Sequence, residues 1–282
     1  MSELTGITIG NTYHAFFDPA ALNPHKRGKA DFSDVMPEFF NHFQNGIDET
    51  QTELTSEHFS MIANGDFSFT RVGDVFGLNG QLYRVLGFDY FYGRGALQGT
   101  TTQIVDDHHM VLGTCIGQGA LASSASTAGG YQSVKTTTLN SLISSWSLPV
   151  DSSHLLHWYD SWPNAVTNGR PTAGGWYETY YDLMTETQVF GQRICSSLNV
   201  GSNTDCWNHT LSNIQFPWFN MYSHCADLFG LGLSFSDSNL TWLRDIASSE
   251  RFCAVDSGGR PNTNKANSGA GINYICVYFC IK

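Results

Sequence analysis

The segment Thr241-Trp-Leu-Arg-Asp-Ile246 is followed by Phe252-Cys-Ala-Val-Asp-Ser-Gly-Gly259 and, at the end of the chain, by Ile275-Cys-Val-Tyr-Phe-Cys-Ile281. Short aromatic and aliphatic runs that end in glycine or polar clusters are typical of β-strands. Between the last two runs, residues 258–274 are almost all small or polar. The sequence therefore predicts two strands, a polar loop and a closing strand. The expected core residues are Trp242, Leu243, Phe252, Val255, Ile275, Val277 and Phe279.

The composition is typical of a loop-rich protein with much β-structure. Charged residues make up 14% of the 282 residues and aromatic residues 13%, and there are 28 glycines. The formal net charge is −11, and lysines and arginines are scattered apart from Lys26, Arg27 and Lys29. A protein that follows a phosphate backbone needs a basic stripe. We therefore do not expect nucleic-acid binding.

The N-terminus lacks the basic and apolar regions of a signal peptide, and no apolar run approaches the roughly 18 residues of a membrane span. We expect a protein made in the cytoplasm without membrane insertion. The seven cysteines are an odd number without a C-x-x-C pair. This pattern favours reduced thiols over a disulfide framework or a structural zinc site. Reducing agents are then expected to change stability little.

Residues 1–65 are predicted to form an N-terminal arm and helices. From Phe32 to Ile47 apolar residues recur every three or four positions, which predicts an amphipathic helix with Pro37 in its first turn. A second helix is predicted to start at a Thr50–Glu53 capping box and to stop at Gly65. The apolar face of the first helix packs either on the chain's own core or at a subunit interface. We assign residues 1–65 to assembly.

The rest of the chain predicts an α+β protein. Residues 66–100 are expected to form a small antiparallel β-element, because Asn79-Gly80 between alternating apolar residues is a strong hairpin signal. Residues 101–282 are assigned to one domain. It is expected to hold a helix with Leu139 and Ile143 on one face, and short helices over residues 155–159 and 176–191.

An ordered set of segments resembles a family of tailed-phage virion proteins described as tail-associated or tail-fibre-like. The segments are Val72-Gly-Asp74, Leu78-Asn-Gly80, Tyr83-Arg-Val85, Phe88-Asp-Tyr90, His108-His-Met-Val111, Thr127-Ala-Gly-Gly-Tyr131, Leu183 to Gly191, Phe216-Pro-Trp-Phe219 and Trp242-Leu-Arg-Asp-Ile246. They span roughly residues 66–282. The C-terminal part of this family is C-type-lectin-like, a fold shared with formylglycine-generating enzymes. The closing segment departs from the family pattern and suggests the variable proteins of diversity-generating retroelements instead.

The resemblance implies a structural protein of the virion, made in the bacterial host cytoplasm. Its expected partners are itself, as a homotrimer, other virion proteins, and a glycan or protein of the host surface. The first hypothesis is a receptor-binding or tail-tip adhesin, and the second is a capsid or tail decoration protein. The third is an enzyme related to the formylglycine-generating enzymes. That activity needs a pair of reactive or metal-binding cysteines. Cys276 and Cys280 are four residues apart on one predicted strand, so their side chains would face the same side. We expect no enzyme activity.

The expected ligand-binding residues lie in the C-terminal polar loop. They are Arg260, Asn262, Asn264, Lys265, Asn267, Asn273 and Tyr274. The loop has almost no apolar side chain to bury, so the fold tolerates change there. The asparagines suit codon diversification, but the preference of Asn for turns is the favoured explanation.

The histidines are weak candidates for a metal site. Imidazole and carboxylate groups are ordinary ligands of zinc, nickel and iron. The candidates are His108, His109, His154 and His157, the last two on one face of an expected helix; the alternative is polar surface or satisfied core positions. Calcium could bind near Asp237, Asn239 and Asp256, although no D-x-D-x-D-G loop is present. We assign no cofactor.

Overall fold

The computed structural model describes residues 6–9, 12–15, 53–98, 101–146, 148–167, 170–196, 214–221, 240–256, 259–268 and 273–282. The predicted helix from Phe32 to Ile47 lies outside these ranges, as do Asp237 and Asn239. Sheet predominates and the helices are short, so the α+β class is confirmed.

The strands are β1 (Gly6–Ile9), β2 (Thr12–Ala15), β3 (Val75–Leu78), β4 (Gln81–Phe88), β5 (Gly95–Gln98), β6 (Thr101–Ile104), β7 (Met110–Gln118), β8 (Trp158–Thr167), β9 (Arg170–Thr179), β10 (Tyr181–Leu183), β11 (Thr241–Ile246), β12 (Arg251–Val255), β13 (Pro261–Lys265) and β14 (Tyr274–Ile281). The helices are α1 (Ser56–Ala63), α2 (Gly130–Val134), α3 (Asn140–Ser145), α4 (Glu186–Phe190) and α5 (Pro217–Met221). A π-helical stretch, Lys135–Leu139, joins α2 to α3. Within the described ranges, no helix is long and apolar enough to cross a membrane.

The closing strand β14 lies in the middle of an eight-stranded sheet of order β13-β12-β11-β14-β7-β4-β3, with β10 also paired to β14. It pairs antiparallel with β7 along its whole length and parallel with the start of β11. A strand that has neighbours on both edges and is packed on both faces has a continuous run of apolar residues in its sequence. This explains why every residue from Ile275 to Ile281 is buried. The seven core residues expected in the three C-terminal strands are all buried.

The Asn79-Gly80 hairpin is confirmed. Asn79 has φ 50° and Gly80 φ 76°, the two positive values that a tight turn between twisted strands requires. The expected boundary between residues 66–100 and 101–282 is wrong, because β4 pairs with β7 in the same sheet. The apolar face of an isolated hairpin would remain in water, whereas pairing with β7 buries Val85 and Leu86 completely.

The second predicted helix is confirmed as α1, with a different start. Thr55, rather than Thr50, is its N-cap: its hydroxyl accepts from His58 N, and His58 Nδ1 accepts from Thr55 N. Gly65 follows with φ 68°, as the stop signal predicted. Ile62 is fully buried and Phe59 stacks on His154 at 3.7 Å. α1 therefore packs on the core, and the assembly role assigned to residues 1–65 stays a prediction.

The short helices expected over residues 155–159 and 176–191 are largely wrong. Trp158–Thr167 and Arg170–Thr179 instead form a long two-stranded hairpin, and α4 alone is helical. A strand depends on its partner strand, which a local helical pattern does not report. The predicted helix with Leu139 and Ile143 on one face is confirmed, and both side chains are buried. Its π-helical middle was not predicted.

The cysteine prediction is wrong for one pair. Cys115 on β7 and Cys276 on β14 form a disulfide across 161 residues of sequence. The antiparallel register of these strands places the two residues opposite each other. The number and spacing of cysteines in the sequence do not predict which strands pair, or in which register. Among the described cysteines, Cys195, Cys253 and Cys280 are free thiols.

Candidate functional site

The predicted ligand-binding loop is in part a strand. Residues 261–265 form β13, which pairs antiparallel with β12 at the end of the sheet. The expectation of a loop is wrong because the ladder with β12 satisfies the backbone of these polar residues. The exposed side chains are those of Arg260, Asn262, Lys265 and Asn267, and Asn264 is partly exposed. Five of the seven expected ligand-binding residues thus lie together on or beside one edge strand.

Asn273 and Tyr274 were expected on the same surface, and this is wrong for Asn273. Asn273 is 2% exposed, and its carbonyl oxygen accepts a hydrogen bond from Gly119 N at 2.8 Å. Tyr274 is partly buried, and its N–H donates to Leu240 O. Both residues lie where the chain enters β14, between neighbouring strands. Asn273 is therefore inaccessible because it lies between paired strands in the middle of the sheet.

The outer edge of β13 is closed to backbone pairing. In its ladder with β12, Asp256 N donates to Arg260 O and Ala266 N to Glu250 O. Because inward and outward groups alternate along an antiparallel strand, residues 261, 263 and 265 direct their backbone groups away from β12.

Each outward N–H position is removed or covered. Pro261 has no N–H. Thr263 N donates to Asn262 Oδ1 at 2.7 Å, and Lys265 N donates to Asn264 Oδ1 at 2.9 Å. In addition, the outward carbonyl of Thr263 accepts from Arg251 at 3.2 Å. Edge strands protected in this way resist the addition of another strand, so β13 offers side chains rather than backbone.

The histidines do not form the expected constellation. His154 ends a short 3₁₀ turn and His157 precedes β8, so the shared helical face is wrong. His108 pairs with Asp89 at 2.8 Å. Burial lowers the pKa of His109 to about 4, and its Nε2 accepts from Phe91 N. Throughout the described part of the chain, no three His, Cys, Asp or Glu side chains are arranged to hold a metal.

Other candidate groups have structural roles. Asp256 accepts from Arg260 N in the turn before β13. The bond between Cys276 and Cys115 removes the expected Cys276–Cys280 arrangement. Burial raises the pKa of Cys280 well above its usual value, which disfavours the reactive thiolate.

A groove that sequence reasoning missed lies between the helix α2–α3 and the strands β9 and β10. Its volume is about 570 Å³, within the roughly 300–1,000 Å³ of small-molecule sites. The strand wall carries Tyr177, Tyr180 and Tyr181, together with Trp162 from the neighbouring strand β8, and the helix wall carries Gln132 and Asn140.

Two hydrogen bonds join the walls of this groove. The Tyr177 hydroxyl donates to Gln132 Oε1 at 2.7 Å, and the Tyr181 hydroxyl donates to Asn140 Oδ1. Tyr177 also stacks on Trp162, with ring centres 4.5 Å apart. A Cβ at Gly175 would lie 3.1 Å from the Tyr177 ring, so glycine leaves room for this stacking. These contacts hold the aromatic surface in place.

Lys135 lies at the base of the groove, where the π-helical stretch begins. Its ammonium group donates to the carbonyl oxygen of Tyr181, lies over the Tyr181 ring and is 3.9 Å from Asp182. Burial lowers the pKa of Lys135 to about 7, although Asp182 opposes this effect. Single π-turns within α-helices often occur at functional sites.

Behind the groove, a buried ion cluster fixes the strand wall. Arg244 on β11 donates to Asp160 and Asp182, both at 2.9 Å, and all three side chains are inaccessible. Asp182 also accepts from Trp162 Nε1 at 3.0 Å and from the Tyr131 hydroxyl. Burial lowers the pKa of Arg244, but Asp160 and Asp182 outweigh it and raise the pKa well above the usual value.

The sequence signal for the groove was the density of aromatic residues between 158 and 181. The short helices predicted over residues 155–159 and 176–191 left the strands β8 and β9 unrecognised, and with them the alternation that places Asp160 and Trp162 on one strand face. Trp218 and Trp242, by contrast, are fully buried core residues.

The fold and these two surfaces define an α+β protein with an eight-stranded sheet, an exposed polar edge strand and an aromatic groove. The chain matches no protein-family model, no curated protein and no solved structure.

Proposed function

We propose that this chain is a structural protein of a tailed-phage virion that recognises the host surface. In this proposal residues from about 66 to the C-terminus form a C-type-lectin-like domain, and the exposed side chains on and beside β13 contact the receptor. The ordered resemblance over residues 66–282 and the α+β fold support it. The protein would act by binding rather than by catalysis.

The proposal rests on one observation: the outer edge of β13 is protected against pairing with another strand. A polar strand at a sheet edge has two uses, recognition through side chains and pairing with a strand of a partner. Pro261 and the side chains of Asn262 and Asn264 occupy the outward N–H positions, which disfavours pairing. The exposed groups of Arg260, Lys265 and Asn267 then remain for recognition.

Replacing Arg260, Lys265 and Asn267 together with alanine is expected to reduce adsorption of phage particles to host cells at least about tenfold, because a few contact residues carry most of the binding energy. The fold should lose less than about 1 kcal/mol, since exposed side chains contribute little. Adsorption rates and urea unfolding measure the two effects.

Asn262 and Asn264 are left unchanged in this variant because they cover the strand edge. The control replaces the exposed Glu57, Ser60 and Asn64 around α1 with alanine and should adsorb normally. Normal adsorption of the β13 variant would remove the adhesin proposal and favour a decoration protein.

The proposed homotrimer gives a second test. In this proposal the assembly element is the predicted helix from Phe32 to Ile47, and the test fragment keeps residues 53–65 because α1 packs on the core. A fragment of residues 53–282 is expected to fold but to remain monomeric by light scattering, because the predicted apolar helix from Phe32 to Ile47 is then absent. A trimeric fragment would place the interface in the remaining domain.

A further inference from the structure

We propose that the groove between α2–α3 and the strands β9 and β10 binds an uncharged saccharide. This site is separate from the β13 surface, since none of the groove's described lining residues lies on β12 or β13. The inference does not depend on the role of β13 or on the location of the protein in a virion.

The lining chemistry requires an amphipathic ligand. Ile143 is the sole aliphatic side chain among the described lining residues, which include four aromatic residues, Trp162, Tyr177, Tyr180 and Tyr181. A purely apolar ligand would leave the amides and hydroxyls of the groove without hydrogen bonds, which is costly. A pyranose ring combines a flat face of C–H groups with a rim of hydroxyls, and it satisfies both kinds of surface.

The hydrogen-bonding groups are positioned before a ligand arrives. The carbonyl oxygens of Gln132 and Asn140 accept from Tyr177 and Tyr181. These bonds orient each amide, so what it offers a ligand is its NH₂ group, a donor that suits a sugar hydroxyl oxygen. Fixed donors reduce the entropy that binding must overcome.

The charges of the groove disfavour an ionic ligand. Its charged side chains, among the described lining residues, are Lys135 and Glu178, with His157 when protonated. Lys135 is 5% exposed and is directed to the Tyr181 carbonyl and to Asp182. His157 lies 3.6 Å from Glu178. Lys135 therefore has buried partners of the protein's own, and an uncharged ligand avoids disturbing them.

The aromatic wall has the rigidity that stacking requires. Trp162 is held by its bond to Asp182 and by the parallel contact with Tyr177, whose ring is partly exposed at the groove. Rings held in this way lose little conformational freedom when a ligand packs on them. Tyr177 is therefore the side chain whose removal should weaken binding most.

The test is calorimetric titration of the purified full-length chain with maltohexaose, cellohexaose and chitohexaose, and with a heparin hexasaccharide as the charged probe. At least one uncharged oligosaccharide is expected to bind. Tyr177→Ala should weaken that binding at least about tenfold, and Gln132→Ala about threefold to tenfold. Tyr159→Ala is the matched control, because this partly exposed tyrosine lies on β8 outside the groove.

Binding should persist in EDTA, because Glu178 is the one carboxylate among the groove's described lining residues. Gln132 is exposed on the helix, so Gln132→Ala tests the site even if Tyr177→Ala fails to fold. The proposal is overturned by binding of the heparin probe alone, by no binding of any uncharged probe, by equal loss in Tyr159→Ala, or by loss in EDTA. These outcomes leave the adsorption test of β13 unaffected.

Discussion

Replacing Arg244 with methionine is expected to lower the free energy of unfolding by about 3–5 kcal/mol, the usual cost of removing one partner from a buried ion pair. Arg244 is the shared donor to Asp160 and Asp182, and all three side chains are inaccessible to water. Methionine fills similar space but leaves two buried carboxylates without their guanidinium. Urea unfolding of the purified chain measures the loss.

Two further variants separate charge from packing. Arg251→Met, on the adjacent strand β12, should cost less than about 1 kcal/mol because Arg251 is partly exposed. Adding Asp160→Asn and Asp182→Asn to Arg244→Met should restore part of the stability, since the uncompensated charges are then removed. A loss below about 1 kcal/mol for Arg244→Met would contradict the assigned role of the ion cluster.

Reduction of the disulfide between Cys115 and Cys276 is expected to lower the free energy of unfolding by about 2–4 kcal/mol. The bond closes a loop with a sequence separation of 161 residues, so it restricts the unfolded chain strongly. It also joins β7 to β14, the two central strands of the sheet. Thermal unfolding with and without reducing agent measures the effect, which reverses the expectation from the cysteine count.

The double variant with alanine at Cys115 and Cys276 is the control for other thiols. Its free energy of unfolding should match that of the reduced wild-type chain, and reducing agent should not change it further. Mass spectrometry of an unreduced digest should recover one cross-linked pair of peptides containing these two cysteines. Recovery of both peptides with free thiols would show that the bond does not form, and the stability prediction would then fail.

Local signals in the sequence predicted much of the fold. The Asn79-Gly80 turn is specified by the positive φ of both residues. The helix around Leu139 and Ile143 follows from their spacing on one face, and Gly65 supplies the left-handed residue after α1. Such features depend on residues a few positions apart, so they are visible without a tertiary structure.

The candidate surfaces were less predictable. Polarity placed Arg260, Asn262 and Lys265 correctly on an accessible edge, yet Asn273 is equally polar and is buried beside β14. Burial of a polar residue depends on which strands flank it. This pairing cannot be predicted from the residues next to it in the sequence. The groove was missed for the same reason, because its two walls come from segments about forty residues apart.

The sequence alone determined the α+β class, the Asn79-Gly80 hairpin, the helix α1, the helix around Leu139 and Ile143, and the apolar character of the three C-terminal strands. The tertiary structure decided that β3, β4, β7 and the C-terminal strands join in one sheet, that Cys115 meets Cys276, and that Arg244 joins Asp160 and Asp182. Turn chemistry and helical periodicity act over a few residues. Strand register, disulfide pairing and buried ion clusters instead form only when distant segments exclude water together.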